Sequence, residues 1–244
     1  MTIVPLSTSA LGRALGAGWH LAGATRGVST AYAALFTLAG LLIIGCLLAL
    51  GLAPLVIAAA GAFMLVGPAI LAGFFGIAAA WEAGEKPGAA AVLAGFRRAD
   101  VGLWVVALVC ALLFMIFITD VATLYSYMVG GTPVWLSDLV PTTANVAGFL
   151  KWGTLSGAVF ALLLYAVAAF SVPLLCEGRI GLVNAVALSV RIVLGRFPIA
   201  ILWGLLLSAL VIGSILLLPL LPLTLPWLAY ASRALYRETL PRES

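Results

Sequence analysis

Long apolar runs alternate with short polar joints along the chain, and the runs fall into three pairs. The first run covers Thr30 to Leu52 and the second Leu55 to Trp81. The third covers Val101 to Thr119, with a polar extension to Met128, and the fourth Leu150 to Leu175. The last stretch, Phe197 to Tyr236, is too long for one passage of a hydrocarbon core that about 20 residues cross, so it reads as two short spans with a turn between Ile212 and Pro219. A shorter segment with helical periodicity precedes each pair. In the first, Leu11, Leu15, Trp19 and Ala22 share a face opposite Arg13 and His20, with Ser7 or Ser9 as the N-cap. In the second, Pro87 opens a helix whose apolar face is Ala89, Val92, Leu93 and Phe96, and Arg97 and Arg98 close it. In the third, Leu182, Val186, Val190 and Val193 align, with Asn184 and Arg191 on another face and Arg196 at the end.

This succession predicts an all-α polytopic membrane protein. It has six transmembrane helices, as three repeats of amphipathic helix plus helical hairpin, over roughly 8-81, 87-176 and 180-238 of one transmembrane domain spanning 1-244. Each repeat carries a proline in its second span (Pro68, Pro173, Pro226), where the missing backbone donor bends a helix. Small residues recur every fourth position at Ala72, Gly76 and Ala80, and at Gly153, Gly157 and Ala161, which lets helices approach closely in lipid. Two joints share an acid followed by glycine, Glu82 with Gly84 and Glu177 with Gly178.

Composition agrees. The chain is 65% hydrophobic and 8% charged, against about 25% charged in an average soluble domain, so the apolar surplus faces lipid. With six spans, only Lys151 of the 12 basic residues lies on one side, and the positive-inside rule puts both termini and all three amphipathic helices in the cytoplasm. Asp120, Asp138 and Lys151 remain outside, with the segment Gly130 to Val146 resting on the interface around Trp135. The N-terminal stretch lacks a basic start followed by an apolar run and is not expected to be a cleaved signal peptide. Cys46, Cys110 and Cys176 stand far apart and read as buried, reduced thiols.

Little chemistry is visible. Ser156 lies in no Gly-x-Ser-x-Gly frame, and no histidine falls in a span to activate it. Met64, Met115, Met128 and the cysteines show no pair at ligand spacing. No glycine-rich phosphate loop appears, and no cofactor, metal site or nucleic-acid partner is expected. The polar residues singled out are Asp120, Lys151, Glu82, Arg97, Arg98, Glu177 and Arg191. Asp120 lies about 28 Å along its helix from Val101, at headgroup depth, and is expected to lie near Lys151 at the outer ends of antiparallel neighbours. At the cytoplasmic joints, Glu82 is expected to pair with Arg97 or Arg98, and Glu177 with Arg179 or Arg191. Arg97, Arg98, Arg191 and Arg196 also suit anionic lipid headgroups.

Several strings resemble one family of bacterial integral membrane proteins, domain of unknown function 2189. They are Val66-Gly67-Pro68, Glu82-Ala83-Gly84-Glu85-Lys86-Pro87, Ser171-Val172-Pro173-Leu174-Leu175 with Ser189-Val190-Arg191, and Pro226 with Ala231-Ser232 and Tyr236-Arg237. Their order covers nearly the whole chain. The resemblance implies a multi-pass protein of the bacterial inner membrane without an established activity. Some members carry the label of cytochrome c oxidase subunit I. Haem-copper chemistry needs several histidines, whereas this chain has only His20. The Gly-His-Ala-Thr-Trp-like string of many members is Ala229-Tyr230-Ala231-Ser232-Arg233 here, without the histidine. The expected role is non-catalytic: an accessory, assembly or stabilising partner of a larger membrane complex, such as a respiratory one, through another membrane protein or a second copy. The alternative is a small-solute transporter or channel, suggested by bent spans repeated about an axis.

Overall fold

A computed structural model of the chain describes residues 4–51, 53–130, 144–217 and 220–241, without the side chains of 53–66 and 216. Asp138, Trp135, most of the expected interfacial segment and Arg242 lie outside the described residues. The helices are α1 (Thr8–Ala24), α2 (Arg26–Ala49), α3 (Ala53–Glu82), α4 (Ala89–Arg98), α5 (Val101–Met128), α6 (Ala144–Cys176), α7 (Leu182–Gly195), α8 (Phe197–Leu216) and α9 (Leu221–Thr239). No strand occurs among the described residues. Ser7 is the N-cap of α1, its Oγ accepting from the Ala10 amide at 3.2 Å. Pro68, Pro173 and Pro226 lie inside α3, α6 and α9.

Among the described residues, 4 helices are long and apolar enough to cross a membrane: Arg26–Ala49, Val101–Met128, Ala144–Cys176 and Phe197–Ile215. α3 is a single helix of 30 residues, of which Gly67–Glu82 counts as a shorter apolar helix. The expected sixth span, α9, is not among the four. Its last turns carry Arg233, Arg237 and Glu238, and Leu228, Ala229, Tyr230, Ala231, Arg233, Leu235 and Tyr236 are buried within the protein. Cys46 is exposed rather than buried, whereas Cys110 and Cys176 are buried.

The chain divides into two compact units. The first comprises Met1–Thr37, Pro68–Val106 and Ala166–Ser244. Phe74, Ile77, Leu103, Leu174, Leu175, Tyr230 and Tyr236 fill its core. The Phe74 ring stands edge-on to Tyr32 and Tyr230, at 5.0 and 5.7 Å between centroids.

Within this unit each amphipathic helix lies across a long helix through one small residue. On α4, a Cβ added to Gly95 would sit 2.2 Å from the Ala72 carbonyl oxygen, and one added to Gly76 of α3 would sit 2.2 Å from that of Ala91. The two backbones therefore touch, and only glycine fits on either side. On α7, Ser189 Oγ donates to the Ala166 carbonyl of α6 at 2.8 Å and accepts from the Phe170 amide at 3.1 Å. On α1, a Cβ at Gly18 would meet the Ala231 amide nitrogen of α9 at 2.5 Å and the Trp227 carbonyl at 2.7 Å. This explains why Ala10, Leu11, Ala14 and Gly18 form the buried face of α1, while Trp19 is left exposed, edge-on to Trp227 at 5.4 Å.

The α3–α4 and α6–α7 contacts share one register. Ala72 and Ala166, Gly76 and Phe170, and Gly95 and Ser189 are each separated by the same interval as Gly84 and Gly178. Those last two glycines take φ of 77° and 60°. They close α3 and α6 with matching bonds: Glu85 N–H to Ala80 O and Gly84 N–H to Trp81 O, then Arg179 N–H to Leu174 O and Gly178 N–H to Leu175 O.

The second unit, Leu38–Gly67 and Ala107–Tyr165, holds an antiparallel pairing of α5 with α6. Phe117 meets Phe160 and Tyr125 meets Phe149, each at 5.7 Å between centroids. Leu108, Leu112, Met115, Ile116, Leu155 and Val159 are exposed on these helices, as befits side chains that face lipid.

Candidate functional site

In the first unit the C-terminal ends of α3, α6 and α9 bring four charges together. Arg233 forks onto Glu82, Nη1 donating to Oε1 at 2.6 Å and Nη2 to Oε2 at 2.9 Å. Its Nε stands 3.7 Å from Glu177 Oε1 and makes no hydrogen bond among the described residues, and its guanidinium lies 5.6 Å from the Phe75 ring centroid. One helical turn later, Arg237 bridges both acids, with Nη1 2.8 Å from Glu82 Oε1 and Nε 3.0 Å from Glu177 Oε1. The Arg233 and Glu177 side chains are only 6% and 8% exposed, Arg237 and Glu82 35% and 43%.

Burying an unpaired charge costs several kcal/mol. Two acids facing two arginines remove that penalty, and the bidentate geometry adds direction. Partial burial alone would raise the Glu82 carboxyl pKa. The hydrogen bonds and charges of Arg233 and Arg237 outweigh it and hold the group below its ordinary value. For Arg237 burial pulls the other way, and Glu177 and Glu82 together keep its guanidinium above the ordinary value.

Further polar contacts tie the surroundings to this cluster. Tyr236 donates its hydroxyl to Glu177 Oε2 at 3.4 Å and receives Arg179 Nη1 at 3.0 Å. Arg179 also donates to the Leu240 carbonyl at 2.7 Å. The Tyr230 hydroxyl is buried against Ser29 Oγ at 2.7 Å and Thr25 Oγ1 at 3.3 Å, where α1 meets α2. An open cavity of about 620 Å³ adjoins the cluster, its wall including His20, Trp81, Glu82, Tyr230, Arg233 and Arg237. Among the described residues, no three His, Cys, Asp or Glu side chains are grouped to hold a metal ion.

The structure thus brings Glu82 and Glu177 together, but with partners other than those expected. Glu82 pairs with Arg233 and Arg237 instead of Arg97 or Arg98, which are exposed at the end of α4. The buried face of α4 is Ala91 and Gly95, and residues 97 and 98 turn away from it. Glu177 pairs with Arg237 and Arg233 instead of Arg179 or Arg191; Arg191 is exposed on α7, and Arg179 turns to Tyr236 and Leu240. In the second unit Asp120 accepts the hydroxyl of Ser156 and does not pair with Lys151, which lies 5.8 Å from the ring centroid of its neighbour Trp152. The α5–α6 pairing sets Asp120 level with Ser156, more than a turn past Lys151 along α6.

Arg233 and Arg237 escaped the sequence reading as site residues because basic residues after a span read as topology signals. Their one-turn spacing was the available sign, with Arg233 set among Leu228, Tyr230, Ala231 and Leu235. An arginine inside an apolar helix requires an acid.

No curated protein and no solved structure matches the chain. A family model described as predicted integral membrane protein, DUF2189, matches residues 55–177, from the start of α3 through Glu177. The strings around Ser189 and Pro226 lie beyond that match, and with half of its length matched the chain belongs to this family of integral membrane proteins.

Proposed function

We propose that the chain is a non-catalytic inner-membrane protein that packs against and steadies a larger membrane complex, such as a respiratory one. In this reading α3 and α9 complete six spans in three repeats, with both termini and the charged end in the cytoplasm. The shared register of the α3–α4 and α6–α7 contacts, and the α1–α9 contact of the same kind, support the repeat. Arg97, Arg98 and Arg191, exposed on α4 and α7, face anionic headgroups.

The observation that carries the role is a contrast in burial. The core of the first unit is filled by aromatic and aliphatic side chains and its buried charges are paired internally. Meanwhile α2, α5 and α8 bury only 17%, 22% and 17% of their most apolar stretch. Such helices are built to meet apolar neighbours, lipid or protein, rather than to enclose a solute.

Purification from native membranes in mild detergent, followed by mass spectrometry, tests the role. A reproducible set of co-purifying membrane subunits is expected. Isolation as a lone chain, with solute flux after reconstitution in liposomes, would overturn it in favour of transport.

A further inference from the structure

The cavity beside the ion-pair cluster, about 620 Å³, falls within the roughly 300–1,000 Å³ of small-molecule sites. Its wall offers both signs of charge. Glu82 keeps 43% of its side chain exposed, and among the described residues its Oε2 accepts a hydrogen bond only from Arg233, leaving a lone pair for another donor. Arg237 directs Nε, Nη1 and Nη2 at the two carboxylates. The second N–H of each terminal nitrogen has no partner among the described residues. His20 is exposed on α1 and makes no hydrogen bond among the described residues. Trp81 is 45% exposed beside Glu82, and Trp19, on the same helix as His20, is 62% exposed. Exposed tryptophans of this kind settle at headgroup depth.

A bare phosphate, or a headgroup with only negative charge, would bring its charge against the Glu82 carboxylate. A choline group has no N–H to offer Oε2. We propose that this cavity binds a zwitterionic phosphoethanolamine group. Its phosphate sits on the free N–H groups of Arg237 and on His20. Its ammonium donates to Glu82 Oε2 beside the Trp81 ring. The group is carried either by a bilayer lipid or by soluble phosphoethanolamine.

The test uses the full chain in detergent, offered equal amounts of phosphatidylethanolamine, phosphatidylglycerol and phosphatidylcholine, with bound lipid read by native mass spectrometry. Retention of phosphatidylethanolamine about tenfold above the other two is expected from one charge-assisted hydrogen bond. Ala17→Trp, placed at an exposed position lining the cavity, should abolish that preference while the melting temperature holds. Glu82→Gln should erase the discrimination against phosphatidylcholine. Displacement of bound lipid by soluble phosphoethanolamine would identify the free compound as a ligand; retention of the lipid against it would identify the bilayer as the source. Equal retention of all three lipids, or a preference untouched by Ala17→Trp, would overturn the proposal. Both outcomes are readable even if Glu82→Gln fails to fold.

Discussion

The stretches 72–95 and 166–189 lay the same helix-turn-helix on the same register and hold it by different chemistry. In the first, α4 is pressed directly on α3 backbone to backbone at Gly76 and Gly95, and the acid at the joint, Glu82, is left 43% exposed. In the second, a serine hydroxyl stands between α7 and α6, and the acid, Glu177, is 8% exposed. Glu177 also sits one residue later in the shared register, where Cys176 takes the place of Glu82. That single step lets the acid turn inward toward Arg233 and Tyr236. The backbone turn and the small contact residue recur in both stretches, while the side chains that pack and pair differ between them.

Arg233 faces the acids of both stretches, so its loss should have the largest effect. Arg233→Met keeps volume but leaves Glu177 buried with one cation fewer, which should destabilise by about 3–5 kcal/mol. Thermal unfolding in detergent reads this as a large fall in Tm; an unchanged Tm would mean that the cluster does not hold the helix ends together. Next comes the contrast between the acids. Glu177→Gln should cost about 2–3 kcal/mol, whereas Glu82→Gln, screened by water on its open side, should cost about 1 kcal/mol or less. Equal losses would erase the distinction in burial.

The packing contrast predicts an asymmetry as well. Gly95→Ala forces a Cβ into the Ala72 carbonyl and should cost about 1–3 kcal/mol through displacement of α4. Ser189→Ala removes a hydroxyl that bridges two backbone groups of one helical turn, which can close on each other, for about 1 kcal/mol. Tm of the two variants, measured side by side, decides. A Gly95→Ala protein as stable as the parent would show that α4 is not held by this contact.

The architecture was legible where physics is local. Apolar runs, prolines, hinge glycines and amphipathic segments placed α1 to α8, because helix formation in lipid depends on near neighbours in sequence, though α2 begins at Arg26 rather than Thr30 and α6 at Ala144 rather than Leu150. The acids Glu82 and Glu177 were also visible, since charge at the edge of a span is rare. Their partners were not. Arg233 is 151 positions from Glu82, and nothing within α3 or α6 specifies which of several arginines comes near. Ser156 hid in the same way: its nearness to Asp120 depends on the pairing of α5 with α6. The buried face of α1 departs from its apolar pattern for a related reason. Gly18 is invisible to a count of apolar residues, yet close approach to α9 selects glycine there over the bulk of Trp19.

The smallest expected effect is the pH dependence of the more exposed acid. The Glu82 carboxyl is held below its ordinary value of 4.5 in the folded chain. A group whose folded pKa is depressed contributes stability in full above the unfolded value and loses it as pH falls through the folded one. The contribution of the Glu82 pairs should therefore be present at neutral pH and fade only below 4.5. Arg237 shifts upward from a value already beyond any working pH, so it stays charged throughout and adds no slope. The measurement is the difference in Tm between the parent and Glu82→Gln, followed from about pH 7 to about pH 3. A gap of a few degrees at neutral pH, shrinking toward zero in acid, is expected. A gap that does not narrow at all as the pH falls below 4.5 would show that Glu82 stabilises its joint by shape rather than by charge, and the two stretches would then differ less than their ion pairs suggest.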